Sequence, residues 1–300
     1  MRWVSYISPL DGRERSGVLR DGEIHGFSRP LLDLLAHEGI ASVADPVETV
    51  AEAKSRLRAP VPVPPSIRDF MGFEEHVVTS MQAIGREVDP VWYEIPAFYF
   101  TNPAAVRGPR DPVEISPGSA AFDYELEVAV VIGRPGANIP VAAAREHIAG
   151  YSILCDWSAR DLQEREMRVG LGPAKGKDAA TSIGPWLVTP EELEDRRKGN
   201  GFDLAMTASV NDTPYSTGNL ADLYWSFEQM ISYASRGTEL RVGDVIGSGT
   251  VGTGCILELS RVHGEEDFPW LRPGDRVRLE VERLGSLEST IQPAQPLHPL

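Results

Sequence analysis

The sequence predicts an α+β fold in which β-structure dominates. The chain opens with short strand-like segments, its middle holds apolar strands that carry or end in acidic residues, and its last third is mostly strand-like. Its 300 residues are 42% hydrophobic, which is enough to bury a sizeable core. We expect one large domain preceded by a small one.

The small unit is predicted to be an N-terminal α+β domain over residues 1–60, followed by a catalytic domain over 61–300. A proline-rich stretch, 58–65, is typical of a stiff linker and places the boundary. The predicted strands and helices of the first unit are strands 3–7, 17–19 and 23–27 and helices 31–37 and 47–57.

The formal net charge of −15 argues against nucleic acid or an anionic membrane as a partner, since either would require a basic surface. Cys155 and Cys255 both lie in apolar, strand-like runs, where they fit buried thiols in a reducing compartment. The chain begins with a strand-like segment instead of a signal peptide, and no apolar run approaches the length of a membrane span. We therefore expect a cytoplasmic protein.

An acidic strand near the middle of the chain is the most informative segment. The strand period of two puts Asp123, Glu125 and Glu127 on one face. Such a row of carboxylates is costly to bury unless a cation or several hydrogen-bond donors lie among them. The alternative is that the carboxylates lie on a strand edge that faces solvent. Ala129 and Val131 continue the same face as apolar residues, so we expect that face to be half buried.

A second strand-like segment, 151–155, ends at Asp156. Glu125, Glu127 and Asp156, with Asp69 as a further candidate, offer only oxygen ligands. That set favours a hard cation, Mg²⁺ first and Mn²⁺ or Ca²⁺ next, over zinc. Asp123 is the alternative ligand from the first strand.

Two aromatic side chains are candidates for the same site. His76 lies on a helix predicted to begin at about residue 73; it could activate water, although a lone helical histidine is more often a surface residue. Tyr99 lies on the aromatic strand 96–101, which could line a pocket or simply pack in the core.

Cationic and amide side chains follow Asp156. Arg160, Gln163 and Glu164 are spaced to share one face of the next predicted helix. A glycine-rich loop then carries Lys175 and Lys177, half of the four lysines in a chain that otherwise uses arginine. We expect a compact ammonium to bind an oxyanion there, with a solvated loop as the alternative.

A glycine motif near the C-terminal end, 247–252, matches G-x-G-x-x-G. It is predicted to continue into a strand, 255–259, so no helix N-terminus would be available for a pyrophosphate, and we reject dinucleotide binding. We expect a loop that closes over a ligand with Thr250 as a donor.

Together, a metal with open positions, a base and nearby cations would suit small oxo-acids that react through an enolate.

Four motifs in this order resemble the fumarylacetoacetate hydrolase family over about residues 60–291. They are Tyr124-Glu125-Leu126-Glu127, the segment from Asp156 to Gln163, Gly176-Lys177 placed eight residues before Pro185-Trp186, and Gly249-Thr250. The resemblance implies the mixed β-roll of that family with a small N-terminal domain, usually in a homodimer. It also implies that Glu125, Glu127 and Asp156 are metal ligands.

Further roles follow from the resemblance. Asp69 and His76 stand seven residues apart, like the fourth metal ligand and the general-base histidine of fumarylacetoacetase. The positions that match substrate contacts in the family are Tyr99, Arg160, Gln163, Lys177 and Thr250.

The chain departs from the family at the partner of the histidine. Its loop 251–254 is short and lacks the glutamate that orients the histidine in fumarylacetoacetase, and Thr79 stands where other relatives have a glutamate. Glu74 and Glu75 are the candidates to replace it.

The resemblance implies a Mg²⁺-dependent hydrolase that cleaves a carbon–carbon bond in a 1,3-dicarbonyl acid, such as an acylpyruvate or fumarylacetoacetate, in the catabolism of aromatic compounds. An isomerase or decarboxylase of an unsaturated 2-oxo-diacid, similar to 2-hydroxyhepta-2,4-diene-1,7-dioate isomerase, is the first alternative. A catalytically silent member that only binds a metabolite is the second.

Overall fold

The computed structural model describes residues 1–37, 45–83 and 85–299. Its strands, in chain order, are β1 Arg2–Ile7, β2 Glu14–Arg20, β3 Glu23–Phe27, β4 Glu48–Ala51, β5 Arg56–Arg58, β6 Ile67–Phe70, β7 Phe98–Thr101, β8 Val106–Arg107, β9 Val113–Glu114, β10 Phe122–Asp123, β11 Leu126–Ile132, β12 Gly136–Ala137, β13 Ile148–Asp156, β14 Ser158–Ala159, β15 Thr181–Val188, β16 Arg197–Lys198, β17 Gly201–Phe202, β18 Ala205–Val210, β19 Thr213–Asn219, β20 Glu239–Leu240, β21 Val245–Gly247, β22 Arg276–Val281 and β23 Gly285–Gln292. The α-helices are α1 Leu31–His37, α2 Glu74–Ala83, α3 Val141–Ala144, α4 Arg160–Met167, α5 Phe227–Ala234 and α6 Ile256–His263.

A twelve-stranded mixed sheet forms the body of the molecule. Its main path runs β4-β3-β2-β1-β15-β13-β11-β21-β6-β7, and β5 and β8 pair with β1 and β15. β21 and β6 are parallel neighbours, whereas β11 pairs antiparallel with both β13 and β21. The predicted α+β, β-rich class is confirmed.

Both faces of the central strand β11 are covered, which explains its apolar sequence. Val128 and Val130 point into the larger hydrophobic cluster, while Ala129 and Val131 belong to a second cluster on the other side. A strand buried on both faces needs apolar residues at successive positions. The acidic face is therefore fully enclosed, beyond the half burial that the sequence predicted.

A five-stranded sheet, β19-β18-β22-β23-β9, packs against β13 and β15 of the large sheet. Its strand β22 alternates exposed and buried residues along its length, as expected for a sheet with one solvated face. The two sheets enclose the larger hydrophobic cluster between them.

The N-terminal strands belong to the large sheet, because β1 pairs with β15 through Arg2 opposite Val188 and Trp3 opposite Leu187. The predicted domain boundary at residue 60 stays a prediction. No helix in the described residues is long and apolar enough to cross a membrane.

Two predicted elements are wrong. Residues 47–57 form β4, a short 3₁₀ helix, Glu52–Lys54, and β5 instead of an α-helix, because Val50 is needed in the ladder with β3. Residues 255–259 begin α6 instead of a strand. The short apolar run there is compatible with both the strand period and the helix period, and tertiary packing selects the helix.

Candidate active site

Five neighbouring strands, β13-β11-β21-β6-β7, bring the candidate site together at one end of the large sheet. Asp156 ends β13, Glu127 lies on β11 and Asp69 lies on β6. β21 runs between β11 and β6, and its Gly247 pairs with Ala129 of β11 on one side and with Asp69 of β6 on the other. β7 then places Tyr99 opposite Asp69. The site is therefore built on rigid sheet positions.

Asp69, Glu125 and Glu127 converge to within 4.8 Å of one another through their carboxylate oxygens, and all three side chains are buried. Burial, followed by the charge of neighbouring Asp69, raises the pKa of Glu127 well above its ordinary value. Burial likewise raises the pKa of Asp69. Buried carboxylates this close repel one another unless protons or a cation lie between them.

The carboxylate oxygens of this site are suitable ligands for a divalent metal ion. Asp69 Oδ1 and Asp156 Oδ1 are buried and accept no hydrogen bond from any residue that the structure describes. A Cβ atom at Gly247 would lie 2.4 Å from Asp69 Oδ1 and 3.0 Å from Glu127 Oε2, so glycine leaves room for the carboxylates to converge. Oxygen-only sites suit hard cations such as Mg²⁺, Mn²⁺ and Ca²⁺.

Lys177 and Tyr99 border the carboxylates. Lys177 Nζ donates to Asp156 Oδ2 at 2.7 Å and also to Glu125, while the Tyr99 hydroxyl donates to Asp156. Burial alone would lower the pKa of the Lys177 ammonium, but the charges of Asp156 and Glu125 raise it, so the ammonium is retained. An ammonium has three N–H donors, and Glu125 and Asp156 account for two of them.

Arg160, the first residue of α4, joins that helix to the acidic strand. Its Nη2 lies 2.7 Å from Asp123 and 2.8 Å from Glu125. Asp123 also accepts from the backbone N–H groups of Ile256 at 2.7 Å and Leu257 at 3.0 Å, the first residues of α6. Asp123, the alternative metal ligand, is thus engaged by Arg160 and a helix N-terminus, a position that favours a carboxylate.

His76 on α2 is held by a carboxylate on α6. Its Nδ1 lies 2.5 Å from Glu258 Oε1, and Glu258 is 3% exposed. An ionised carboxylate can only accept, so Nδ1 carries the hydrogen of this bond, and a neutral ring would then have its lone pair on Nε2. Glu74 instead bonds the Tyr93 hydroxyl at 2.8 Å. Glu258 therefore takes the position for which the sequence offered Glu74 and Glu75.

The loop before Lys177 is anchored by one carboxylate from α4. Glu166 Oε2 accepts from the N–H groups of Ala174 and Gly176, both at 3.0 Å, and Oε1 accepts from that of Lys175 at 2.6 Å. Slight burial would raise the pKa of Glu166, but these three amides hold it below its ordinary value. The chain direction entering Lys177 is thereby fixed.

We expect Glu166→Gln to lower kcat/KM by roughly 10- to 100-fold, since displacing a catalytic group by about 1 Å has effects of that size. The glutamine NH₂ group cannot accept from Lys175, so the loop must shift and carry Lys177 with it. Steady-state kinetics measures the effect. Glu164→Gln is the matched control, because Glu164 is exposed and contacts Arg168; equal kinetics in both variants would refute the prediction.

The structure gathers the predicted site residues into one region. Asp69, Glu125, Glu127, Asp156, Lys177, Tyr99 and Arg160 are in mutual contact or share partners. Gln163 accepts from Arg160 Nη1 at 3.2 Å, and Thr250 Oγ1 lies 3.5 Å from Glu127 Oε1. Their catalytic roles stay predictions.

The sequence reasoning missed Glu258. It assigned residues 255–259 to a strand, on which Glu258 would have had no helical neighbour. The overlooked signal is the amphipathic spacing of Ile256, Leu259 and Ser260, which are buried together with Glu258 on α6.

The same error supported rejecting the glycine motif 247–252. A helix N-terminus does follow that loop, but the Asp123 carboxylate occupies its N–H groups. The first two N–H groups of α6 are therefore already engaged, and the rejection of dinucleotide binding stays a prediction.

Comparison with known proteins finds sequence relatives, solved structures of the same fold and a matching family model. The chain is 28% identical over 282 residues to a 2,4-didehydro-3-deoxy-L-rhamnonate hydrolase of Sphingomonas sp. (strain SKA58), covering 92% of this chain and 91% of the relative. It is 26% identical to the solved structure of a fumarylacetoacetate hydrolase from Exiguobacterium antarcticum, with a TM-score of 0.76 over 98% of this chain and all of that one.

A 5-carboxymethyl-2-hydroxymuconate delta-isomerase from Mycobacterium smegmatis shares the fold, with a TM-score of 0.75 and 24% identity over 98% of this chain and all of that one. The family model described as fumarylacetoacetate (FAA) hydrolase C-terminal matches residues 66–292. The family model and the solved structures confirm the resemblance and the fold that it implied. The chain therefore belongs to the fumarylacetoacetate hydrolase family, whose members are hydrolases or isomerases.

Proposed function

We propose that this protein is a Mg²⁺-dependent hydrolase that cleaves a carbon–carbon bond in a 1,3-dicarbonyl acid of the acylpyruvate or fumarylacetoacetate type. The observation that carries the proposal is the His76–Glu258 pair beside the carboxylate cluster of Asp69, Glu125 and Glu127. The pair lies within 4.8 Å of Cys255, which forms a β-bridge with Glu125. Hydrolysis requires a base that can activate water, and this pair supplies one.

Asp69, Glu125, Glu127 and Asp156 would hold the metal ion. When bound, the ion supplies Lewis acidity and a template for two neighbouring substrate oxygens. Without a cation, burial and neighbouring carboxylates raise the pKa of Asp69, Glu127 and Asp156, although Lys177 counteracts this at Asp69 and Asp156. The cluster therefore stabilises added positive charge.

His76 carries out the proton transfer. Nε2 of the neutral ring accepts a proton from water, and the resulting hydroxide adds to a substrate carbonyl carbon. The Glu258 carboxylate stabilises the imidazolium that forms and keeps the ring oriented through Nδ1. The proton then held on Nε2 is available for the enolate carbon that leaves after the carbon–carbon bond breaks.

Lys177 and Gln163 stabilise the oxyanion that develops at the attacked carbonyl. The third N–H of the Lys177 ammonium is the donor we assign to it, because Glu125 and Asp156 take the other two. Arg160 holds Gln163 in place at 3.2 Å and shields Glu125 from repulsion by its neighbours. Tyr99 and Thr250 complete the site around the substrate.

The surroundings of His76 bear on the choice between a hydrolase and an isomerase or decarboxylase. An isomerase or decarboxylase of the same scaffold needs no hydrolytic water, and the apparent lack of an orienting glutamate favoured that alternative. Glu258 removes this reason, because it contacts His76 directly. Hydrolysis is therefore the reading that the histidine's surroundings support best.

Product analysis by NMR in deuterated buffer tests the proposal. Acylpyruvates and fumarylacetoacetate should each give two acids, with deuterium on the carbon that was the enolate. A single isomerised product, or release of carbon dioxide, would instead establish the alternative. No turnover of any oxo-acid in a panel, with Mg²⁺ bound, would indicate a silent member.

A further inference from the structure

A second set of metal-ligating groups lies next to the carboxylate cluster. One ring nitrogen of His76, Sγ of Cys255 and a carboxylate oxygen of Glu258 lie within 4.8 Å of one another. Cys255 is fully buried, Glu258 is 3% exposed, and the His76 side chain, at 12%, is the most open of the three. Cys255 immediately precedes α6, and Glu258 lies in its first turn.

The two sets differ in the kind of cation they suit. Carboxylates alone suit hard cations, whereas nitrogen, sulfur and oxygen ligands together suit borderline or soft cations such as Zn²⁺ and Cd²⁺. Hydrolysis by the proposed mechanism needs His76 and Glu258 but gives Cys255 no part. The thiol is therefore an unassigned ligand beside the general base.

A divalent cation held by this group would bind the thiolate form of Cys255, because a coordinated thiol is deprotonated.

We propose that Cys255, His76 and Glu258 form an inhibitory site for a borderline or soft divalent cation, Zn²⁺ in the first place. Zn²⁺ bonds to the thiolate sulfur, the carboxylate and one ring nitrogen, and the thiol proton leaves to solvent. A cation on Nδ1 displaces the ring hydrogen from Nδ1 to Nε2, and a cation on Nε2 takes the lone pair of Nε2 itself. Either way the ring can no longer accept a proton from water.

Binding is tested without any assay of activity. The full chain, saturated with Mg²⁺, is titrated with Cd²⁺ while the ultraviolet cadmium–thiolate charge-transfer band is recorded. The carboxylate cluster has no sulfur, so Cd²⁺ bound there gives no such band. We expect the band in the wild type and its loss in Cys255→Ser and in Cys255→Ala, the second variant being made in case the first does not fold.

Cys155→Ala is the matched control. Cys155 is equally buried, but it lies in the large hydrophobic cluster and pairs with Leu126 across the ladder. This variant should keep the band. Absence of the band in the wild type, or its persistence in both Cys255 variants, would overturn the proposed site.

Inhibition is tested separately, and this part rests on the proposed role of His76 as general base. With excess Mg²⁺, Zn²⁺ should inhibit hydrolysis, and Cys255→Ser should raise the half-inhibiting Zn²⁺ concentration by at least about tenfold, because even indirect supports of a metal ligand contribute that much. If the band behaves as expected but Zn²⁺ does not inhibit, the site stands and the assignment of His76 as base is refuted.

Discussion

Glu127→Gln is expected to lower kcat by about 1000-fold or more and to abolish the thermal stabilisation that Mg²⁺ gives the wild type. Its carboxylate belongs to the converging cluster and accepts from Gly249 N at 3.0 Å. Losing Lewis-acid stabilisation worth several kcal/mol corresponds to an effect of that size. The metal-free variant should fold well, since an amide resembles the protonated carboxyl that burial favours at this position.

Thermal unfolding with and without Mg²⁺ measures the second effect. A ligand at about 100 times its Kd stabilises the native state by about 2.7 kcal/mol, which the variant should lose. Glu288→Gln makes the same charge change at an exposed position of β23 and should behave like the wild type. A Glu127→Gln protein that Mg²⁺ still stabilises fully would contradict the assignment of the cluster as the metal site.

The raised pKa values of the buried carboxylates lead us to expect that the affinity for the metal depends on pH. The pKa values of Asp69, Glu127 and Asp156 are raised in the metal-free protein. Metal binding requires the ionised forms, so protons compete with Mg²⁺ and the affinity should fall as the pH is lowered. Calorimetric titration at a series of pH values should show it together with proton release, and an affinity independent of pH would be inconsistent with the raised pKa values.

His76→Ala is expected to lower kcat by about 100- to 10,000-fold, the usual contribution of a positioned general base. Stabilisation by Mg²⁺ should remain, because His76 lies outside the carboxylate cluster. This pattern separates loss of the base from loss of the metal. Full activity on acylpyruvates and fumarylacetoacetate in His76→Ala would end the proposed mechanism.

Glu258→Gln refines that test. Glutamine can still accept from His76 Nδ1, but it lacks the charge that stabilises the imidazolium. We expect a loss of kcat smaller than that of His76→Ala. Glu74→Gln, on the same helix as His76 and bonded to Tyr93, should leave kcat unchanged.

The candidate metal ligands could be found in the sequence for a local reason. The strand period alone puts Glu125 and Glu127 on one side of the chain, and the end of an apolar strand exposes Asp156 to the site. Buried carboxylates in such a row require compensation, whatever the fold.

Glu258 could not be predicted in the same way. Its partner His76 is 182 residues away, so no local period links them. Whether residues 255–259 formed a strand or a helix depended on packing between α6 and α2, and on the Asp123 carboxylate that caps α6.

By itself, the sequence determined the β-rich fold class, the acidic strand face and the residues available for chemistry, because periodicity and composition act over a few neighbouring residues. Only the tertiary structure decided which donors and acceptors meet: His76 with Glu258, and Arg160 with Asp123. These contacts join distant segments, and sheet pairing and helix packing set their distances.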